Sequence, residues 1–331
     1  MMMWPSGGMP LDLPVLSCVF LLALWIDRRW GEPPAAIHPV VSIGHYLKAC
    51  GRVAVRCPPA LAFVLGSLAW CVGAAAAGAL AWALQALTFS QLARFSARPE
   101  LESGVAAILL AWLLAWLLKS MLSWRMLRDE VGAVEAALQQ SLPAGRERLS
   151  WLVSRETATL SESQVRESAI ETLAENLNDS VVAPIFWFVL FGLPGAVIYR
   201  FANTADAMWG YRGTYRGQHW EWAGKWAARA DDALSWLPAR LTAGLLMGVT
   251  GQFQFGALLR EAVKTPSPNS GWPMAAMAMA LGVSLSKPGV YSLNASGRAP
   301  QSGDVLLAQK YASKVLLALV PIALAAIIFT V

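Results

Sequence analysis

Apolar residues are gathered along this chain into long segments that polar loops separate. Four of these segments, 11–26, 58–87, 104–118 and 314–331, are almost free of charge. Runs of this length and composition are typical of helices that cross a membrane. The pattern therefore predicts an all-α, polytopic integral membrane protein with about four transmembrane helices, one to three broken or re-entrant segments, and cytoplasmic helical loops.

Two further apolar segments are interrupted. Segment 181–202 is long enough to span a membrane, but Gly192-Leu193-Pro194-Gly195 breaks it in the middle. Non-helical backbone at membrane depth is tolerated only where it is buried or lines a cavity, so we favour two half-helices that dip in and return to the same side. Segment 233–251 raises the same question, because Pro238 and Arg240 lie in its first half. An arginine at that depth is costly and is usually paired.

The polar parts of the chain predict how it is organised. We expect one membrane-embedded domain over 1–331, with a polar cytoplasmic helical insertion at 123–180 and polar loops at 203–232 and 252–313. The insertion is expected to form two or more helices in water. Arginines and lysines accumulate in 28–56 and in 123–180, and the positive-inside rule places both in the cytoplasm. The predicted location is a bacterial inner (cell) membrane, crossed several times, with the functional loops in the cytoplasm.

An acidic stripe is the most regular polar feature of the chain. Glu167, Glu171, Glu175 and Asp179 follow one another at intervals of four residues. Residues four apart are neighbours on one face of a helix, and like charges at this spacing repel by a few tenths of a kcal/mol per pair. The stripe is either a solvated helix face or a wall whose charge arginines or a bound divalent ion offset.

The ends of this acidic helix also have sequence signals. Ser161 followed by Gln164 predicts a capping box at its beginning. Asn178 and Pro184 are expected to end it.

Composition supports the membrane assignment. The chain is 56% hydrophobic and only 14% charged, and it contains 16 tryptophans. Its mean hydropathy of +0.47 excludes an ordinary soluble domain. The net charge of +5 fits basic cytoplasmic loops, and no basic run interleaves with aromatic residues as a nucleic-acid site would require. No basic segment precedes the first apolar run as in a signal peptide, and Met9 is a candidate start.

Other residues predict no standard cofactor site. The four cysteines include no CxxC pair, and the three histidines are too scattered for a histidine metal site. GxxxxGK[ST], GxGxxG after a strand, GxSxG and HExxH are all absent. A nucleotide would therefore need another device, such as carboxylate-held Mg²⁺ with arginines on the phosphates.

Three further stretches concentrate polar side chains. The first runs from Asn203, Thr204 and Asp206 to the glycine-arginine loop with Arg212 and Arg216, which suits phosphate binding or a loop anchored among lipid headgroups.

The second stretch is Asp231-Asp232 ahead of Arg240. Adjacent aspartates point to different helix faces, so at most one would be a ligand, and a charge at a helix N-terminus is the alternative. The third is 267–273 around Asn269, where turn residues precede a helix start, either as a binding loop or as a tight turn.

Together these motifs resemble the cobinamide-phosphate synthase family of cobalamin (vitamin B12) biosynthesis, in order and over most of the chain. The matching residues are Asp27, Gly31-Glu32-Pro33, His38-Pro39-Val40, Glu171, Glu175-Asn176, Asp179, Ala183-Pro184, Tyr199-Arg200, Asn203-Thr204, Asp206, Met208, Gly210-Tyr211, Asp231-Asp232, Trp236 to Arg240, Ser267 to Pro273, Ala275-Ala276-Met277 and Ala280 to Val283. Glu32 stands where the family pattern has Asp, and Ser180 where it has Gly. Stretch 294–303 is irregular, and no role carries over to Asp304.

The resemblance implies a carbon–nitrogen ligase, an adenosylcobinamide-phosphate synthase. A propionate carboxyl of adenosylcobyric acid would be joined to (R)-1-amino-2-propanol O-2-phosphate, or to aminopropanol, giving adenosylcobinamide phosphate. ATP and Mg²⁺ are the implied energy source and metal, and the corrinoid is a substrate. The implied partners are the two substrates and the lipid bilayer, with no nucleic acid. Other membrane enzymes of the pathway, or a second copy of the chain, are further candidates.

The implied roles can be assigned to residues of this chain. Glu171, Glu175, Asp206 and Asp231 are the catalytic candidates, and Glu175 with Asp179 the metal candidates. Substrate and phosphate binding falls to Asn176, Asn203, Thr204, Arg212, Arg216, Arg240 and Asn269. Glu167 lies outside the motif and is expected to be the solvated end of the stripe. The alternatives are a non-catalytic membrane sensor of the same superfamily and a transporter, for which the broken helices and Arg240 are the argument.

Overall fold

A computed structural model describes residues 12–99 and 101–329 of the chain; the candidate start at Met9 lies outside these ranges. The helices are α1 Asp12–Trp30, α2 Pro39–Ala54, α3 Pro59–Ala97, α4 Leu101–Met121, α5 Trp124–Gln140, α6 Leu142–Ser150, α7 Glu162–Leu177, α8 Ala183–Trp209, α9 Lys225–Leu234, α10 Trp236–Thr250, α11 Phe255–Ala262, α12 Gly271–Leu281 and α13 Ser302–Phe329. A π-helical turn, Asn178–Val182, connects α7 to α8.

Extended structure is confined, in the described residues, to two small antiparallel hairpins. Strands β1 Thr214–Tyr215 and β2 Gln218–His219 form the first, and β3 Leu285–Lys287 and β4 Tyr291–Leu293 form the second. In the second hairpin Ser286 pairs with Ser292. The all-α prediction is confirmed.

Four helical stretches of the described chain are long and apolar enough to cross a membrane, which confirms a polytopic membrane protein. They are Pro59–Ala97, Leu101–Gln140, Glu162–Trp209 and Ser302–Phe329. This set differs from the predicted one in one place. The first predicted span forms as α1, but its last turn carries Asp27, Arg28 and Arg29, and the stretch that contains α8 takes its place among the four.

The chain divides into two compact units. The first consists of Met1–Ser123, Ala183–Leu234 and Ala323–Val331, and the second of Trp124–Val182 and Ser235–Ile322. In the described part of the first unit, the second half of α8 packs along α3. Gly73 of α3 lies against the rings of Phe201 and Tyr46, and Gly78 lies against Ile198. Small residues on α3 let these helices approach closely, as is common between membrane helices.

Helix α8 is broken where the sequence predicts it. Gly192 has φ 65° and ψ −156°, a conformation that only glycine adopts without strain. The next amide, Leu193 N–H, donates to Gln85 Oε1 at 2.8 Å, which satisfies a backbone group that the break exposes. The α-carbon of Gly195 packs against the carbonyl oxygen of Trp187, eight residues earlier. The two halves of α8 therefore lie side by side after a reversal of the chain. Their return to one side of a membrane stays a prediction.

The second unit is built around α7. Eleven of the sixteen residues of α7 are buried, so the expectation that this part of the insertion lies in water is wrong. The helix packs against α5, α6, α12 and β3. The expected stop signals also fail, because the chain continues from Asn178 through the π-helical turn into α8. Pro184 lies in the first turn of α8, where its missing N–H has no intrahelical partner to lose.

The second interrupted segment is divided between two helices. Helix α9 ends at Leu234, and α10 begins at Trp236 and is 15 residues long, ending at the left-handed Gly251. Pro238 lies in the first turn of α10, where proline is tolerated. The proline therefore marks a helix start rather than a break inside a span.

Candidate functional site

The acidic stripe begins at the predicted capping box. Ser161 Oγ accepts a hydrogen bond from the Gln164 backbone N–H at 3.3 Å, and Gln164 Oε1 accepts one from the Ser161 N–H at 2.8 Å. This reciprocal pair satisfies two amides that the helix start leaves without partners. It also determines which face of α7 carries the carboxylates.

Glu167 is buried, with only 6% of its surface exposed, so its prediction as a solvated residue is wrong. Its Oε2 accepts hydrogen bonds from the Ser286 backbone N–H at 3.1 Å and from Ser286 Oγ at 2.7 Å. Ser163 Oγ lies 3.4 Å from Oε1. Ser286 belongs to β3, so Glu167 fastens the second hairpin onto α7.

Glu171 is buried one turn further along and contacts the other strand of the hairpin. Its Oε2 pairs with Arg155 Nη2 at 2.7 Å, and its Oε1 accepts from Tyr291 Oη at 2.9 Å. Burial raises the pKa of Tyr291, and the charges of Glu171 and Glu175 raise it further. Tyr291 therefore stays protonated and donates. Both oxygens of Glu171 are engaged by protein groups, and this carboxylate orients its neighbours.

The lower part of the stripe is less buried and has different neighbours. Glu175, Asn176 and Asp179 are partly exposed. Asn176 Nδ2 donates to the carbonyl oxygen of Thr172 at 3.0 Å. Asn178 Nδ2 donates to Asp179 Oδ1 at 2.8 Å.

Asn178 also links the π-helical turn to α10. Its Oδ1 accepts from Thr242 Oγ1 at 3.1 Å. A π-helical turn is rare and is frequent at functional sites, because it displaces side chains from the ordinary helical positions. The predicted metal candidate Asp179 lies in this turn.

The donor set at this turn fits a metal ion only in a particular way. In the described residues no group of three or more histidine, cysteine, aspartate or glutamate side chains is arranged to hold a metal. Glu175 and Asp179 are two carboxylates one helical turn apart. Mg²⁺ is commonly held by one or two carboxylates together with substrate phosphates and water. The pair therefore fits an ion that arrives with a phosphorylated substrate and does not form a cage of its own.

Arg240 is the best-ordered cation of the second unit. Its guanidinium lies between the rings of Trp236 and Trp272, at 4.1 Å and 4.5 Å from their centroids. Nη1 donates to the Trp236 carbonyl oxygen at 2.7 Å and lies 3.4 Å from Asn269 Oδ1. Stacking between two indoles holds the plane of the group, which suits recognition of a carboxylate or phosphate.

Asn269 is buried in the turn before α12. Ser267 Oγ accepts from the backbone N–H groups of Asn269 and Ser270, at 3.2 Å and 3.3 Å. Helix α12 then begins at Gly271, so the predicted turn and helix start are confirmed. The loop places Asn269 beside Arg240, which the sequence treated as separate candidates.

The remaining predicted residues belong to the first unit. Asn203, Thr204 and Asp206 lie in the last turns of α8. Arg200 Nη1 lies 3.4 Å from Asn203 Oδ1, and Thr204 Oγ1 donates to the Arg200 carbonyl oxygen at 2.7 Å.

Asp206 is partly buried at the end of α8. Its carbonyl oxygen accepts from the Gly210 N–H at 2.7 Å. A β-carbon at position 210 would collide with Asp206 Oδ1. Glycine at this position therefore leaves room for the carboxylate.

The glycine-arginine loop folds as the first hairpin. Arg216 and Gly217 form its turn with φ values of 48° and 75°, the signature of a type I′ turn. Arg212 and Arg216 are exposed, and the Gly213 N–H donates to Glu221 Oε2 at 3.1 Å. The hairpin presents two solvated arginines from a defined backbone.

The tyrosines of this hairpin stack on each other. The rings of Tyr211 and Tyr215 lie 3.7 Å apart. Burial, together with the hydrogen bond and charge of Tyr215, raises the pKa of Tyr211 to about 12. The stacked pair stiffens the loop that carries the arginines.

Asp231 and Asp232 occupy the last turn of α9, so their alternative role at a helix N-terminus is wrong. Both are partly buried. Burial raises the pKa of Asp232, although the charges of Arg229 and Arg212 oppose the shift. A carboxylate at a helix C-terminus is unfavourably placed with respect to the helix dipole. Their position is therefore not explained by helix stability.

Sequence reasoning missed Lys119. This side chain is fully buried, with 0% exposure, and its Nζ lies 3.0 Å from Glu32 Oε2 and 3.7 Å from Asp27 Oδ1. His38 Nε2 lies 2.9 Å from the same Glu32 oxygen, and His38 Nδ1 accepts from the Val40 N–H at the start of α2. The available signal was a single lysine at the end of an otherwise uncharged apolar segment, which is a functional-site candidate in a membrane protein.

The charges in this cluster compensate one another. Burial raises the pKa of Glu32, but the hydrogen bond from His38 and the charge of Lys119 outweigh that effect, so its pKa lies below the ordinary value. The cluster joins the three residues of the opening motif, Asp27, Glu32 and His38, to α4.

Asp304 also has a local role, although none carried over from the family pattern. Its carboxylate pairs with both terminal nitrogens of Arg298, at 2.6 Å and 2.8 Å, and accepts from the Gln301 N–H at 2.7 Å. A bidentate pair of this kind fixes geometry. It fastens the irregular stretch 294–303 to the start of α13.

The predicted site residues thus form two groups, one in each unit. The second unit holds Glu171, Glu175, Asn176, Asp179, Arg240 and Asn269, and the first holds Asn203, Thr204, Asp206, Arg212, Arg216 and Asp231. Within the second unit, Asn178 contacts α10 through Thr242, and Arg240 of α10 contacts Asn269. The acidic stripe and the arginine site are therefore built on adjoining elements.

Comparison with known proteins identifies relatives over most of the chain. The family model described as CobD/Cbib protein matches residues 20–318. The Chromobacterium violaceum cobalamin biosynthesis protein CobD is 41% identical over 273 residues, 81% of this chain and 81% of its own. The probable cobalamin biosynthesis protein CobD of Thermococcus kodakarensis is 40% identical over 291 residues, 86% of this chain and 87% of its own. No solved structure matches the chain.

Proposed function

The chain belongs to the CobD/Cbib family of cobalamin biosynthesis, and we propose that its reaction there is an ATP-dependent amide ligation. The substrates would be adenosylcobyric acid and (R)-1-amino-2-propanol O-2-phosphate, or aminopropanol, and the product adenosylcobinamide phosphate. The observation that carries the proposal is the family match over residues 20–318, which includes every candidate site residue. The residue motifs of the ligase family support the finer assignment.

The chemistry of amide formation states what the site must do. A carboxylate is a poor electrophile, so its oxygen first attacks the γ-phosphorus of ATP and ADP leaves. The amine nitrogen then attacks the acyl carbon, phosphate leaves, and the nitrogen gives up a proton to a base. Such a site needs cationic groups on the phosphoryl group and a carboxylate near the amine.

The lower acidic stripe suits the phosphate side of this reaction. We assign Glu175 and Asp179 to the Mg²⁺ ion that accompanies ATP, which would supply neutralisation of phosphate charge. Asn176 lies beside them as a polar contact. Glu171, held by Arg155 and Tyr291, keeps this face of α7 in position for the nucleotide.

Substrate anions would be bound by arginines on two supports. The flexible side chains of Arg212 and Arg216 project from the first hairpin and suit a phosphate. Arg240, stacked between two indoles and next to Asn269, offers a rigid planar group for a carboxylate or phosphate.

The amine would be recognised by carboxylates of the first unit. Asp206, with Asn203 and Thr204 one turn earlier, can bind an ammonium and accept its proton. Asp231 is the second candidate, at the end of α9. The raised pKa of its neighbour Asp232 indicates that this end of α9 disfavours charge, which favours a proton-accepting role there.

The location follows from the same proposal. A bacterial inner membrane, with the polar loops in the cytoplasm, would give the site access to ATP and to both substrates. Other membrane enzymes of the pathway and a second copy of the chain are the proposed protein partners. The exposed arginines of the first hairpin support a cytoplasmic location for that loop.

The assay measures formation of adenosylcobinamide phosphate by membranes that contain the protein. Adenosylcobyric acid, aminopropanol phosphate and MgATP are added, and the product is quantified by mass spectrometry. Glu175→Gln and Asp206→Asn should each abolish product formation while the amount of membrane protein is unchanged. Glu156→Gln is the matched control, because Glu156 is an exposed carboxylate outside the candidate site.

Two outcomes would contradict the proposal. Normal turnover in both variants would remove the residue assignment. A wild-type protein that forms no product, yet moves a corrinoid into liposomes without ATP-linked ligation, would favour the transporter. A protein with neither activity would favour the sensor.

A further inference from the structure

A cavity of about 570 Å³ lies in the first unit between α3 and the broken helix α8. Its walls include Trp82 and Phe89 from α3 and Trp187, Phe191 and Ile198 from α8. Its volume is within the range of small-molecule sites in proteins. No candidate residue of the proposed reaction lines it.

The cavity results from the reversal in α8. The break at Gly192 and Pro194 turns the chain back, so the two halves of α8 diverge from α3 on either side of the bend. Gly78, Ala79 and Gly195 line the same space and supply no bulky side chain to fill it. The indole of Trp187 cannot swing in, because its Nε1 donates to the Leu234 carbonyl oxygen at 3.0 Å.

The chemistry of the lining excludes polar ligands. Gln85 and Tyr199 are the only polar residues apart from tryptophans among those that line the cavity. Gln85 already accepts from the Leu193 N–H, and Tyr199 is fully buried. A corrinoid carries many amide groups and a nucleotide carries several charges, and either would lose its hydration here without replacement. The occupant must therefore be apolar.

The opening of the cavity identifies where that occupant comes from. Trp82 and Phe191 line it and are also exposed, by 55% and 47% of their surfaces. Leu80 and Leu87 of α3, close to Trp82, are exposed as well. These residues lie in the middle of Pro59–Ala97, a stretch that is apolar and long enough to cross a membrane. The cavity thus continues the surface of a spanning helix, where the surrounding medium is lipid hydrocarbon.

We propose that this cavity binds an acyl chain of a membrane lipid, which fills the gap that the reversal of α8 leaves. The chain would enter between Trp82 and Phe191 and pack against Trp187 and Ile198. Binding would support the bend of α8, which carries Asn203, Thr204 and Asp206 at its far end. The site is thus a lipid-binding site distinct from the proposed ligase residues.

The test uses the full-length protein in nanodiscs that contain a phosphatidylethanolamine with a diazirine in the middle of one acyl chain. After irradiation, lipid adducts are mapped by peptide mass spectrometry. The wild-type protein should form more adducts on Trp187 and Phe191 than on Leu68, an exposed residue of α3 outside the cavity. Enclosure of the chain gives longer contact than an open lipid-facing surface.

Two filling variants and one control make the test specific. Ala79→Phe and Ala86→Phe place a ring in the cavity, and Ala76→Phe places the same ring on the exposed surface of α3. The filling variants should lower adducts at Trp187 about tenfold, because displacing two or more methylenes costs that factor in occupancy. The control should leave them unchanged, and size-exclusion chromatography shows whether each variant is folded.

Two results would overturn the proposal. One is that adducts at Trp187 in the folded filling variants equal those of the wild-type protein. The other is that a photoreactive amino acid at Phe191 joins two copies of the chain, since a protein would then cover the opening. Product formation is measured separately, so loss of the lipid site and failure of the proposed ligase activity remain distinguishable.

Discussion

Replacing Glu167 by alanine should release the second hairpin from α7. The carboxylate accepts two hydrogen bonds from Ser286, at 3.1 Å from the backbone N–H and at 2.7 Å from Oγ. Glu167→Ala removes both and leaves the Ser286 amide without this acceptor. The hairpin between Leu285 and Leu293 then loses its hydrogen-bonded attachment to this end of the stripe.

The magnitude follows from the kind of bond that is lost. Hydrogen bonds to a charged group contribute about 1.5–3 kcal/mol each, so the two together give about 3–6 kcal/mol. Ser286 is only partly buried and can bind water after the substitution. Relief of the repulsion between Glu167 and Glu171 returns a few tenths of a kcal/mol. The net local loss is therefore about 2–3 kcal/mol, which corresponds to roughly 30- to 150-fold faster opening.

Hydrogen exchange followed by mass spectrometry measures this opening directly. Peptides that cover 285–293 should exchange faster in Glu167→Ala by the stated factor. Glu162→Ala is the matched control, because Glu162 is 58% exposed and pairs with Arg166 at the surface of the same helix. An exposed pair contributes at most about 1 kcal/mol. Unchanged exchange at the hairpin, or a more stable α7, would show that Glu167 is solvated and would refute the reasoning.

Three further predictions concern other parts of the fold. Replacing Lys119 by methionine should lower the melting temperature in detergent, because breaking a buried ionic cluster from one side costs about 3–5 kcal/mol; an unchanged melting temperature would contradict it. Gly192→Ala should reduce the yield of folded protein, because its φ is 65° and a β-carbon meets Gln85, whereas Gly248→Ala, with open space around it, should be neutral or stabilising by up to about 1 kcal/mol. Burial raises the pKa of Glu261, but hydrogen bonds from Lys264 and the Asn294 N–H lower it more, so its contribution is complete above the ordinary value of 4.5 and is lost as pH falls through the lowered pKa; melting curves of Glu261→Gln should lack this part of the acid dependence.

The helical membrane architecture could be predicted because it depends on composition and length. Uncharged apolar runs have no other stable arrangement than spanning helices, and Gly192-Leu193-Pro194-Gly195 cannot continue a helix without a break. The capping box at Ser161 was equally predictable, since it depends on residues three apart. The end of α7 was not, because Asn178 can cap a helix or continue it, and packing decided between these.

The candidate site shows the same division. Spacing placed Glu167, Glu171, Glu175 and Asp179 on one face, and this follows from helical geometry alone. Spacing could not tell which of them face Ser286, Tyr291 and Arg155, because those contacts join residues up to 120 positions apart. Lys119 was missed for the same reason, since its partners come from α1 and the loop that follows it.

By itself, the sequence determined the family, the all-α membrane class, the break in α8 and the line of carboxylates along α7. Each of these depends on local spacing or on the transfer of apolar segments from water. Only the tertiary structure decided that the upper half of the acidic line is buried and fastens a hairpin, while Glu175 and Asp179 stay partly exposed beside a π-helical turn. Burial of a charge is settled by the partners that other segments bring to it, and no local pattern contains that information.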